Sequence, residues 1–198
     1  MSRWYWAISC DNSVDDPLVV DRADLAIDPQ LLTIGEYVEA TSHLGRLSVS
    51  KASNDGMPDD VLQNYLGLPV YSARLRKALE LAGVVGIQFL SVEVVSFSGQ
   101  GIDGYSVANI VERRRALDFA RTDYELFPVD HFVESLRGKV RALRNATLKG
   151  DQLKSCDVVR LFEFASSVYV SQRFKDAFEP CGCTGYSFRE VSVSEAPS

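Results

Sequence analysis

The sequence is poor in the residue types from which metal sites, disulfide frameworks and catalytic triads are usually built. Its 198 residues include four cysteines and two histidines. So few cysteines in a chain of this length do not form the dense disulfide framework of a small secreted protein. His43 and His131 are too few to support a zinc site, or a Ser-His-Asp or Cys-His arrangement. We therefore expect no metal, no cofactor and no catalytic residue.

Long apolar runs are also missing. None approaches the roughly 20 residues of a membrane-spanning helix. The stretch MSRWYWAISCDNS lacks both the apolar run and the small-residue cleavage site of a signal peptide. The composition, 46% hydrophobic and 24% charged, is that of a globular chain long enough to bury a core. These features predict a cytoplasmic protein that does not enter a membrane.

Basic residues are scarce in the first third of the chain. Residues 1–66 contain 11 acidic and 4 basic residues, whereas residues 67–198 contain 16 acidic and 17 basic residues. The first third therefore carries the whole excess of negative charge. This distribution argues against direct binding of nucleic acid, which requires clustered lysine and arginine. It fits either a basic partner or a solvated acidic surface that keeps the protein soluble.

An internal duplication is present. Residues 70–92 and 169–191 align without a gap at an offset of 99, and eight of the 23 positions are identical. Ser72 and Ser171 stand where a helix N-cap is needed, and apolar residues follow at helical spacing. Gly83 and Gly182 stand where a helix ends in the left-handed conformation, and a strand-like segment follows each. We predict two similar helix–turn–strand units, with positive φ at both glycines.

The CGC stretch falls inside the second copy. Cys181 and Cys183 occupy the positions that Ala82 and Val84 hold in the first copy. A buried free cysteine behaves as a small apolar residue. A disulfide between residues two apart is unfavourable, and a metal clip would need further ligands. We therefore predict two free, packed cysteines.

The rest of the chain indicates an α+β fold of mixed, mainly antiparallel sheets with a few short helices. We expect a strand over 3–9 and helices over 28–40 and 131–146, with strands around both copies of the repeat. Residues 1–66 form an acidic N-terminal part that is integral to the fold, and residues 67–198 form an α+β domain that contains both copies.

Three motifs have simpler explanations than catalysis or ligand binding. GQGIDG (99–104) matches a dinucleotide fingerprint, but a strand-like segment follows it where the fingerprint requires a helix, so a hairpin loop is expected. His131 and Glu134 lie three apart without a second histidine to complete a metal site. The arginines of 113–115 and of the predicted 131–146 helix are expected to form solvated faces.

The repeat resembles a known family. The second copy, VYVSQRFKDAFEPCGCTGYSFREV, is similar to the C-terminal signature of immunity proteins of the eleventh family from bacterial polymorphic-toxin systems: a strand, a V-S start, a short helix, T-G-x-x-F and a final strand. The first copy resembles the family's middle signature. YSVANIVERRRALDFARTDYE, with Asn109 ahead of its ALD element, resembles the segment between them. The resemblance spans roughly residues 60–193.

That resemblance implies a protein that stays in the producer's cytoplasm and blocks one cognate toxin by binding it. It implies no catalytic residue, and it leaves open the toxin's activity and whether the chain self-associates. The acidic first third fits a basic toxin, and many basic toxins are nucleases. We predict that acidic residues contact the toxin: Glu36, Glu39, Asp55, Asp59, Asp60 and Asp103.

Two other classes of function remain open at this point. One is an enzyme acting on a small ligand through His131 and Glu134, which a deep polar pocket around His131 would favour. The other is a structural or regulatory module that binds itself or a housekeeping protein. A gene neighbour that encodes a secreted toxin would separate the immunity function from both.

Overall fold

The protein is a mainly β structure of the α+β class. The computed structural model describes residues 5–11, 16–39 and 43–195, in which there are three α-helices, α1 (Pro29–Thr33), α2 (Ala73–Leu81) and α3 (Gln172–Phe178). The strands are β1 (Tyr5–Cys10), β2 (Val19–Leu25), β3 (Gly45–Val49), β4 (Gln63–Asn64), β5 (Val70–Ser72), β6 (Ile87–Ser91), β7 (Glu93–Val95), β8 (Tyr105–Ile110), β9 (Arg113–Arg114), β10 (Asp123–Leu126), β11 (Val140–Asn145), β12 (Thr147–Lys149), β13 (Val158–Leu161), β14 (Val168–Ser171) and β15 (Tyr186–Ser194). Single 3₁₀ turns lie at Lys51–Ser53, Glu134–Leu136 and Gly150–Leu153.

The strands form four sheets. The largest has the order β12-β15-β1-β14-β13-β9, so the N-terminal strand β1 lies between two strands from the C-terminal part of the chain. The others have the orders β4-β2-β3-β7, β5-β8-β6 and β10-β11. Neighbouring strands are mostly antiparallel, but β12–β15, β13–β9, β2–β4 and β3–β7 are parallel. The predicted mixed, mainly antiparallel α+β fold is confirmed.

The duplicated segments fold alike, as predicted. β5–α2–β6 and β14–α3–β15 have the same order of strand, helix and strand. Ser72 Oγ accepts the Leu75 N–H at 3.1 Å, and Ser171 Oγ accepts the Phe174 N–H at 3.4 Å, so both serines are N-caps. Gly83 and Gly182 have φ of 66° and 65°, which confirms the predicted ends of the two helices.

The duplication extends to a third strand in each unit. β8 lies between β5 and β6, and β1 lies between β14 and β15. Their first residues are equivalent: Tyr105 pairs with Ser72, and Tyr5 pairs with Ser171. The third strand of the first unit follows it in the chain, whereas that of the second comes from the N-terminal end. Simple sequence alignment misses this because the order of the strands is permuted.

One hydrophobic cluster joins the two units. α2 contributes Leu75 and Leu79 to it, and α3 contributes Phe174 and Phe178, all at most 3% exposed. Burying a side chain of this size stabilises a fold by about 1.5–3 kcal/mol. A second cluster lies under the β4-β2-β3-β7 sheet, and a third is centred on β12, β13 and Tyr5. None of the helices formed by the described residues is long and apolar enough to cross a membrane.

Two predicted helices are wrong in part or entirely. The helix expected over 28–40 ends at Thr33, and Gly35 follows with φ of 76°. The helix expected over 131–146 is a 3₁₀ turn followed by β11, which pairs with β10 in a hairpin. Gly138, with φ of 68°, lies between the turn and the strand and is incompatible with a continuous helix.

The cysteines also differ from the expectation. Cys181 and Cys183 are joined in a disulfide, so the prediction of two free thiols is wrong in this structure. Both nevertheless lie against the cluster between the helices, where small apolar side chains were expected. The GQGIDG stretch leads into β8, as predicted, and not into a helix.

Candidate functional site

Two of the six predicted contact acids lie inside the protein. Asp59 and Asp60 are each 5% exposed. Tyr105 donates its hydroxyl proton to the backbone carbonyl of Asp59 at 2.7 Å, which fixes this part of the chain against β8. Neither side chain is therefore exposed to a partner, as the predicted contact with a toxin would require.

Asp60 is the centre of a hydrogen-bond network. Its carboxylate accepts the Ser72 hydroxyl at 2.5 Å, the Arg74 Nε–H at 3.0 Å and the backbone N–H of Thr184 at 2.9 Å. A second nitrogen of Arg74 completes a two-point ion pair. Burial by itself raises the pKa of Asp60, but the hydrogen bonds from Arg74, Ser72 and Thr184 outweigh it, so the pKa lies below its usual value.

Asp157 has the equivalent position in the second unit. It accepts the Ser171 hydroxyl at 2.8 Å, Arg173 Nη1 at 3.1 Å and the backbone N–H of Val85 at 3.3 Å. In both units the carboxylate therefore bonds the capping serine, the arginine two residues later and a backbone N–H of the other unit.

The two arginines also bond across the units. Arg74 donates to the carbonyl of Gly182 at 3.3 Å, and Arg173 donates to the carbonyl of Gly83 at 3.4 Å. Each Asp–Arg pair thus links the N-terminus of one helix to the C-terminal turn of the other. Asp60 lies 12 residues before its serine and Asp157 lies 14 before its own, so the ungapped repeat of the sequence does not extend to them.

Four predicted contact acids are exposed. Glu36 forms an ion pair with Arg113, and Glu39 follows it outside any helix. Asp55 lies after the 3₁₀ turn at 51–53, and Asp103 lies in the turn before β8. No hydrogen bond or ion pair joins these four side chains among the described residues, and they come from three separate segments of the chain.

His131 and Glu134 do not form a site together. The His131 ring lies between Phe127 and Phe132, with centroid separations of 5.0 and 4.5 Å, and its Nδ1 accepts the Val133 N–H at 3.1 Å. Glu134 forms its ion pair with Arg137. Among the residues that the structure describes, no group of three or more His, Cys, Asp or Glu side chains could hold a metal ion.

The β10–β11 hairpin carries the most exposed apolar side chains. Val129 is 83% exposed and Phe132 is 88% exposed, near the end of the hairpin that connects the strands. Val140 and Leu143 of β11 pack against the third cluster. The sequence does not indicate this element, because the apolar residues of the segment have helical spacing. A contiguous exposed apolar patch marks a contact with another protein, whereas single exposed apolar side chains are common on protein surfaces.

Arg160 is a further residue that sequence reasoning missed. It is 2% exposed, and Nη1 donates to the carbonyl of Ala165 at 2.6 Å, while Nε and Nη2 have no hydrogen-bond partner among the described residues. Burial lowers its pKa. The one signal in the sequence is a lone arginine within the apolar run of β13. These nitrogens are buried, and Arg160 is also one of the residues that line a cavity of about 310 Å³, together with Val168 and Tyr186.

These observations define a mainly β protein of the α+β class, built on a duplicated unit that is tied together by paired Asp–Arg contacts. Its surface carries exposed acids and a hairpin with exposed apolar side chains. The chain belongs to the Imm11 immunity protein family, whose model matches residues 7–193. No curated protein matches the chain. The resemblance that the repeat carried is therefore confirmed. Membership of an immunity protein family implies that the chain binds a cognate toxin and indicates a role as a toxin inhibitor.

Proposed function

We propose that this protein binds one cognate bacterial toxin in the cytoplasm of the cell that produces it, and neutralises that toxin by stoichiometric protein–protein binding. The family match over residues 7–193 is the observation that carries the proposal, because it includes nearly every described element. The paired units support it, since a scaffold tied at both helix ends holds surface residues in a fixed arrangement, which lowers the cost of binding.

The exposed acids Glu36, Glu39, Asp55 and Asp103 are the proposed contacts with a basic toxin, such as a nuclease. Arg113 already compensates part of the charge of Glu36. Asp55 and Asp103 form no ion pair in the described structure and so offer their charge to a partner. Charge complementarity of this kind mainly speeds association and improves specificity.

The toxin that tests the proposal is the product of a neighbouring gene that encodes a secreted effector. Titration of the purified toxin with this protein should abolish its activity at one equivalent, with a complex of fixed stoichiometry on a sizing column. Neutralisation at far less than one equivalent would instead indicate an enzyme that modifies the toxin. If no toxin encoded beside the gene binds, the proposal is wrong and a structural or regulatory module becomes the better explanation.

The position of the interface needs a separate test. Asp55→Lys combined with Asp103→Lys should reduce the association rate several-fold at low salt. The reduction should shrink near 0.1 M salt, where exposed charges are screened beyond about 10 Å. Glu190→Lys with Asp151→Lys is a matched control, because both residues are exposed acids elsewhere on the surface.

Equal association rates in the two double variants would place the interface away from Asp55 and Asp103 while leaving the function intact. In that case Phe132→Ala should lower the affinity instead, because Phe132 is the most exposed apolar side chain of the hairpin.

A further inference from the structure

Three of the four basic residues of the acidic first third meet around one cavity. Residues 1–66 contain Arg3, Arg22, Arg46 and Lys51 as their basic residues. The last three line a cavity of about 420 Å³ beside the β4-β2-β3-β7 sheet. They are 24 and 5 residues apart in the sequence, so the fold and not the local sequence brings them together. A cationic cavity in the most acidic part of the chain is the opposite of what the composition predicts.

The strand register explains how these three basic residues come together. Arg22 of β2 lies opposite Ser48 of β3, and Arg46 precedes Ser48 by two residues and therefore points to the same face of the sheet. Lys51 follows at the end of β3, in the 3₁₀ turn. The other face of β3 carries Leu47 in the core, so the cationic face is the one that faces solvent.

The charges in this cavity are only partly compensated. Arg46 forms an ion pair with Glu93 through Nε, at 2.7 Å. In the described ranges, no carboxylate oxygen lies within the 4.0 Å ion-pair distance of Arg22 or Lys51. Asp21 is the one acid among the described residues that line the cavity. The cavity lining therefore has an excess of positive charge that a bound anion would neutralise.

An exposed aromatic ring forms one wall. Phe97 is 57% exposed, and Lys51 Nζ lies 5.7 Å from the centroid of its ring. The Phe97 N–H donates to Asn54 Oδ1 at 2.9 Å, which holds the 96–99 loop against the 3₁₀ turn. A ring fixed at the edge of a cationic cavity offers a stacking surface for a planar group that is attached to an anion.

We propose that this cavity binds an organic phosphate. Arg22, Arg46 and Lys51 would contact the phosphate oxygens, and the planar body of the ligand would lie against Phe97. Guanidinium and ammonium groups form strong charge-assisted hydrogen bonds with phosphate. The volume falls within the range of small-molecule sites, about 300–1,000 Å³. Binding of an organic phosphate is a different activity from toxin neutralisation, so the proposal goes beyond the proposed function.

Titration with three probes tests it: adenosine 5′-monophosphate, inorganic phosphate and adenosine. We expect the monophosphate to shift the backbone amide resonances of residues 96–99, inorganic phosphate to do so more weakly, and adenosine to leave them unchanged. Failure of both phosphate probes to shift these resonances would overturn the proposal. An equal response to adenosine and its monophosphate would also overturn it, because the cations would then play no part.

Substitutions of the lining residues test whether the resonance shifts come from binding in this cavity. Arg22→Gln with Lys51→Gln should lower the affinity for the monophosphate by at least about tenfold, since each charge-assisted hydrogen bond contributes about that factor. Arg189→Gln with Lys154→Gln, two exposed cations outside the cavity, should have no effect. Phe97→Ala should lower the affinity for the monophosphate and leave the affinity for inorganic phosphate unchanged. Equal weakening in the two double variants would show a general charge effect and would contradict a site. All of these side chains are exposed, and circular dichroism will verify that the variants fold.

Discussion

Replacing Asp60 should destabilise the protein as much as replacing a buried structural residue, and more than replacing a surface acid. Asp60→Ala removes the acceptor for Ser72, for Arg74 and for the Thr184 N–H. Loss of one partner of a fully buried ion pair costs about 3–5 kcal/mol. The Arg74 side chain is 58% exposed and recovers hydration when its partner is lost. We therefore expect a smaller cost, about 2–3 kcal/mol, which for a chain of this size is a fall of about 5–10 °C in the melting temperature.

The contribution of Asp60 to the stability of the protein depends on pH. The pKa of Asp60 is lower in the folded protein than the value of about 3.9 in an unfolded chain, so the unfolded state takes up a proton first as the pH falls. The contribution of Asp60 to stability is therefore fully present above about pH 4 and is lost as the pH falls through the folded pKa. The difference in stability between the wild type and Asp60→Asn should shrink over that acid range.

Urea denaturation at pH 7 and at several pH values below 5 measures both effects. Asp103→Ala is the matched control, because Asp103 is exposed, and its stability should change by less than about 0.5 kcal/mol. Asp157→Ala should cost at least as much as Asp60→Ala, because its carboxylate is 1% exposed and has the equivalent bonds. If Asp60→Ala and Asp103→Ala are equally stable, the assignment of Asp60 as a link between the two units is refuted.

Two further predictions concern the repeat and the core, both measured by chemical denaturation. Gly83→Val and Gly182→Val should each cost more than about 1 kcal/mol through the positive φ alone, because an added Cβ meets nothing within 4 Å. Gly101→Ala, with no positive φ, should be nearly neutral, and a cost equal to that at the other two would contradict the assigned caps. Arg160→Met should raise the free energy of unfolding by about 1–3 kcal/mol, since it removes a buried guanidinium with two unpartnered nitrogens. A loss of stability would mean that those nitrogens are satisfied in solution.

The repeat could be predicted from the sequence because its determinants are local. A capping serine acts on the N–H groups of the next turn, and a terminal glycine acts through its own backbone conformation. Ser72, Ser171, Gly83 and Gly182 therefore indicate the same structure in the sequence and in the fold. The third strand of each unit was not predictable in this way, because β1 and β8 pair with residues far away in the chain.

The hairpin could not be predicted because its apolar residues have helical spacing. Val133, Leu136, Val140 and Leu143 are spaced by three or four residues. In the structure, irregularities in the β10–β11 register interrupt the alternation of the strand. A bulged strand places successive apolar residues on one side at spacings other than two. The spacing of the apolar residues alone therefore cannot distinguish a bulged strand from an amphipathic helix. Gly138 is the stronger signal, because it argues against a continuous helix.

The position of the binding surface was the hardest feature to infer, since net charge does not give surface charge. The first third supplies the excess acids, but Asp59 and Asp60 are buried, and Arg113 pairs with Glu36. Three of the four basic residues of the same segment converge on one cavity. The surface of residues 1–66 therefore carries both acidic and basic groups, and Asp55 lies close in sequence to Lys51. A basic toxin and an anionic ligand would approach neighbouring parts of the same segment, so the association rate of the toxin should be measured with and without the phosphate probe.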